Sequence, residues 1–96
     1  MIRASKEIEG LIHMFLKEHL GRYGLEQIDV QVGSDHSGEP ALFIDAYYRL
    51  SQEPVQSRSI LQVLTQLRAE LVARGETRFP YLRHHFNEKQ QVATGR

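Results

Sequence analysis

Asp35, His36 and Glu39 lie within five residues of one another, in the segment Ser34-Asp35-His36-Ser37-Gly38-Glu39-Pro40. A histidine beside carboxylates is the raw material for general acid–base chemistry or for a divalent-metal site. With no cysteine in the chain, such a site would use nitrogen and oxygen ligands, which suit zinc or a similar ion. Either use needs a further group from elsewhere, and His84, His85 and Asp45 are the candidates. His84 and His85 are adjacent on a predicted strand, so they point to opposite faces and only one of them can join His36. The segment also reads as an ordinary turn. Aspartate accepts from amides two residues on, and glycine takes a positive φ. Turn geometry accounts for Asp35, Gly38 and Pro40, and it leaves His36 and Glu39 unexplained.

Other chemistries find less. None of the serines sits in a Gly-x-Ser-x-Gly elbow, and the spacing Gly33 to Gly38 lacks the lysine and hydroxyl of a phosphate loop. Arg78, Tyr81 and Arg83 interleave cations with an aromatic ring, as RNA-binding sheets do, but the ribonucleoprotein signatures are absent. No catalytic residue is assigned and no cofactor is implied.

The elements that must position these residues follow from periodicity. Ile8, Leu11, Ile12, Phe15, Leu16, His19 and Leu20 draw one apolar helix face, with Ser5 as N-cap and Gly21 and Gly24 as stops. Strands are predicted at about 28–33 and 41–50. Leu42, Ile44, Ala46, Tyr48 and Leu50 face one way, and Phe43, Asp45, Tyr47 and Arg49 the other. A second helix runs from Ser57, or from nearer Pro54, to Gly75. A third strand follows at about 78–86, and 87–96 reads as a flexible tail beyond a single domain of residues 1–86.

The order α-β-β-α-β predicts an α+β fold: a two-layer α/β sandwich whose three-stranded, mainly antiparallel sheet carries both helices on one face. A crossover through the second helix suggests strand three beside strand one, in the order 2-1-3. The other sheet face, with Phe43 and Tyr47 on it, is left open for a partner.

Composition narrows the function classes. The formal net charge is zero, which argues against a general nucleic-acid binder. The halves differ: residues 1–57 carry a balance of −4 and residues 58–96 a balance of +4. No apolar run is long enough for a membrane span, and the start lacks the apolar core of a secretory signal. Together with the absence of cysteine, this favours a cytoplasmic location.

The run Asp35-His36-Ser37-Gly38-Glu39-Pro40-Ala41-Leu42-Phe43 and the closing Phe79-Pro80-Tyr81-Leu82 carry a resemblance. Over about residues 25 to 86 the chain resembles a family of small bacterial proteins with an Asp-His-x-Gly-(Asp/Glu)-Pro-x-Leu turn and a short aromatic terminal strand. That resemblance implies an accessory or antitoxin-like role and no established activity. The expectation is a non-catalytic, homodimeric protein-interaction module. Its contact residues would be Asp35, His36, Gly38 and Glu39 on the turn and Phe43, Asp45, Tyr47 and Arg49 on the outward strand face. The alternatives are a metal-dependent or hydrolytic site at His36, Asp35 or Glu39 with His84 or His85, and an RNA-binding sheet.

Overall fold

The computed structural model describes residues 5–49 and 55–86. Helix α1 spans Lys6–Leu20, and strands β1 and β2 span Leu25–Ser34 and Pro40–Tyr48. Helix α2 spans Ser57–Ala73, and strand β3 spans Phe79–His85. The predicted tail and Leu50 lie outside the described residues.

Local chemistry explains the boundaries. The Ser5 hydroxyl accepts from the Ile8 amide at 3.3 Å and satisfies one orphan donor of α1. Glu7 and Glu9 lie in the first turn, where the helix dipole favours negative charge. After Leu20 a single 3-10 turn, Gly21–Tyr23, leads to Gly24 at φ 95°, and the chain enters β1. α2 has Gln56 as N-cap, without a cap hydrogen bond from the Gln56 side chain, so Ser57 is its first helical residue and not the cap. Gly75, at φ 83°, lets the Gly75 and Glu76 amides close back on Val72 and Leu71.

The sheet corrects the predicted order. β2 is the central strand: it pairs antiparallel with β1 and parallel with β3, giving 1-2-3 and not 2-1-3. The sheet is therefore mixed, not mainly antiparallel. The physical reason lies in the connection. Two parallel strands joined through a helix can be direct neighbours, and the stretch from Arg49 to Arg78 is far longer than such a crossover needs. β2 has the composition for the middle place. Leu42, Ile44, Ala46 and Tyr48 are buried on one face, and Ala41 and Asp45 are buried on the other.

The core lies on one side of the sheet. Ile28 and Val30 of β1 and Leu42, Ile44, Ala46 and Tyr48 of β2 share one strand face, and they pack with Ile12, Leu16 and Leu20 of α1 and Val63, Leu67 and Leu71 of α2. Both helices therefore cover that face. The opposite face carries no helix among the described residues.

Candidate functional site

Strand register builds the uncovered face row by row. Gln31, Phe43 and Tyr81 form one row, Asp29, Asp45 and Arg83 the next, and Gln27, Tyr47 and His85 the third. The parity is as the alternation predicted. What places Arg83 beside Asp45 is the parallel pairing of β2 and β3.

Asp45 is the centre of this face. Arg83 donates from Nη2 to its Oδ2 at 2.8 Å, and Nε2 of His85 lies 2.8 Å from Oδ1. Asp45 is only 8% exposed. Burial pushes its carboxyl up, and the hydrogen bonds from Arg83 and His85 together outweigh that and hold it below the usual range. His85 stacks on Tyr47 at 4.6 Å between ring centroids. Phe43 stacks on Tyr81 at 5.6 Å, and the Arg83 guanidinium lies 5.2 Å from the Phe43 centroid. Phe43 also leans over Gly33, where an added Cβ would sit 3.0 Å from its ring. The rings stand on the sheet and stack across strands, so they cover part of one another's faces.

The turn is a closed structure tied to β3. Asp35 accepts through Oδ1 from the amides of Ser37 and Glu39 at 2.9 and 3.0 Å. Its Oδ2 accepts from the Tyr81 hydroxyl at 2.9 Å. The Glu39 amide, then the Tyr81 hydroxyl, hold the Asp35 carboxyl below its usual range, and the same bond holds the Tyr81 hydroxyl above its own. Gly38 sits at φ 83° and donates its amide to the Asp35 carbonyl. His36 and Glu39 are exposed on the turn.

The predicted metal set does not assemble. His85 faces the open side with Asp45, while His84 faces the helices and lies 2.7 Å from the Tyr48 hydroxyl through Nδ1. His36 stands at the turn. His85 pairs with Tyr47, seven residues along the strand from Pro40, or about 23 Å. No cluster of three metal-binding side chains occurs among the described residues. Arg49 also departs from its expected place. It lies past the end of β2 and donates its amide to the Gly24 carbonyl.

Sequence reading missed two groups. One is the Asp45–Arg83–His85 network, hidden because the predicted order put β3 on the far side of β1. The other is the Tyr48–His84 pair on the covered face. Burial, then the neighbouring His85, pushes His84 down to about 4, and burial raises the Tyr48 hydroxyl. Nε2 of His84 has no hydrogen-bond partner among the described residues. The RNA-binding candidates are each tied internally. Arg78 grips Glu76 through Nε and Nη2 at 2.7 and 2.8 Å, Tyr81 holds Asp35, and Arg83 holds Asp45.

No protein-family model, curated protein or solved structure matches this chain. Among the described residues no helix is long and apolar enough to cross a membrane.

Proposed function

We propose that the protein is a non-catalytic interaction module that binds another protein surface through the uncovered face of its sheet. The observation that carries this reading is the pairing of the face's reactive groups with one another. Asp45 is taken by Arg83 and His85, and Asp35 by turn amides and Tyr81. What the face offers outward is a set of half-buried rings, Phe43, Tyr47 and Tyr81, around a buried carboxylate, Asp45, paired with a half-exposed arginine, Arg83. Aromatic residues and arginine around a desolvated centre are what protein interfaces select. Stacked bases need free ring faces, and here the rings stack on each other, which favours a protein partner over RNA. An accessory or antitoxin-like role, as the resemblance implies, fits a protein that works by covering another surface.

The test is a single charge in the middle of the rings. Tyr47→Glu is expected to abolish association with any partner retained by the wild-type protein, in sedimentation and in co-purification from the native cell. If Tyr47→Glu keeps every association of the wild type, the sheet face is not the binding surface.

A further inference from the structure

We infer that the surface covering the open face is a second copy of this chain, related by a two-fold axis running along β2. The inference deepens the reading above and rests on it. It comes from the charge pattern of one row. Asp29, Asp45 and Arg83 lie side by side across β1, β2 and β3, with the acidic residue on one edge strand and the basic residue on the other. Asp29 and Asp45 sit opposite each other in an antiparallel pair, where like charges are destabilising. Arg83 and His85 offset Asp45 within the chain. Within the face, Asp29 accepts a weaker bond, through Oδ2 from Gln27 Nε2 at 3.4 Å.

A two-fold axis parallel to β2 exchanges the two edge strands between facing copies and preserves position along the strands. Asp29 of one copy then meets Arg83 of the other, twice, and Gln27 meets His85 in the next row. Arg83 is half exposed, with a side-chain exposure of 51%, and has donors beyond the one given to Asp45. Either axis sets Asp45 against Asp45, each already paired with its own Arg83, but the alternative axis, across the strands, would add Arg83 against Arg83 and Asp29 against Asp29, which opposes association. Aligned packing of two sheets about 10 Å apart lets the rings of the facing rows interdigitate. Three strands over seven residues make a footprint of about 14 by 23 Å. That is small beside a standard interface of about 800 Å² on each partner, so the dimer is a reversible one.

The apolar groove beside α2, lined by Leu64, Val72 and Phe79, has no such charge pattern to select an occupant.

Charge exchange tests the geometry. By sedimentation velocity from about 10 µM to 1 mM, in a range suited to a reversible dimer, the wild type is expected to dimerise. Asp29→Arg and Arg83→Asp are each expected to weaken self-association at least tenfold. An equimolar mixture of the two variants is expected to recover it, because both cross-copy contacts become Arg–Asp pairs. Since Arg83→Asp also strips Asp45 of a partner, Asp29→Arg mixed with wild type serves as a second measurement. It should dimerise with intermediate strength, having one attractive and one repulsive contact. A wild type that stays monomeric throughout overturns self-pairing. So do an Asp29→Arg variant that dimerises as well as wild type and a mixture no tighter than Asp29→Arg alone. A monomeric wild type whose Tyr47→Glu variant still loses a native partner ends this inference while leaving the binding module standing.

Discussion

Asp35 and Asp45 are both carboxylates held below their usual range, yet they hold different things together. Asp35 closes a turn, through two amides, and pins it to Tyr81. Asp45 joins β2 to β3 through Arg83 and His85 in the middle of an uncovered face. Asp45→Asn keeps the shape and turns one acceptor into a donor facing a donor. The expected loss is about 1 kcal/mol, modest because Arg83 is half exposed, read as a lower urea midpoint at pH 7. With a lowered folded pKa, Asp45 contributes its stability above the unfolded value of 3.8 and loses it as pH falls through the folded one. His84 acts in a separate window. Its folded pKa of about 4 lies below the ordinary 6.5, so the unfolded chain takes the proton first. The His84 contribution is therefore full above pH 6.5, declines as pH falls toward 4, and levels off below that, where the loss from Asp45 takes over. The total is on the order of 3 kcal/mol. Urea melts of the wild type and His84→Gln across this range should show the decline in the first and a much flatter profile in the second. Neither group was legible as a functional unit in the sequence. Asp45 and Arg83 are 38 positions apart, and alternation says which way each points without saying which strand lies alongside.

The elements were largely legible, because each is written locally. Ser5 caps α1, Gly24 and Gly75 take positive φ where chain direction changes, and strand alternation separates core from open face. Gly38→Ala tests one of these local signals. Nothing lies within 4 Å of a Cβ there, so the whole cost is the left-handed backbone, about 1–2 kcal/mol in thermal or urea unfolding. Strand order was not legible, since periodicity carries no information on neighbours, and the crossover suggested β1 as the partner of β3. The direct β2–β3 pairing explains features the other order leaves without a cause. Ala41 and Asp45 are buried on the open side of β2, and Tyr81 reaches the turn that precedes it. Amide exchange distinguishes the two orders. With hydrogen bonds on both edges, Ile44 and its neighbours in β2 should exchange more slowly than Val30 in β1. The reverse ranking would put β1 in the centre.

At the scale of the whole molecule, the two helices and the sheet make one core with one side bare among the described residues, and the charge imbalance between the halves takes on a spatial meaning. The N-terminal half supplies β1 with Asp29, and the C-terminal half supplies β3 with Arg83, on opposite edges of β2. Within one chain Arg83 already holds Asp45, so Asp29 gains most from an arginine in another copy. In the proposed dimer this ties folding to concentration. A native state that self-associates is stabilised by mass action, by about 2.7 kcal/mol when the free partner stands at 100 times the dissociation constant. Scanning calorimetry of the wild type at increasing concentration should therefore show a rising Tm. The same scans on Asp29→Arg should show a Tm that hardly moves, while its value at high dilution stays near that of the wild type, because Asp29 is a partly exposed strand residue outside the core. High salt should reduce the concentration dependence in the wild type, since the Asp29–Arg83 contacts between copies lie at the rim, where screening is effective. A Tm that climbs equally in both proteins would mean that association uses another surface, such as the apolar stripe of α2 with Leu61 and Val72 exposed.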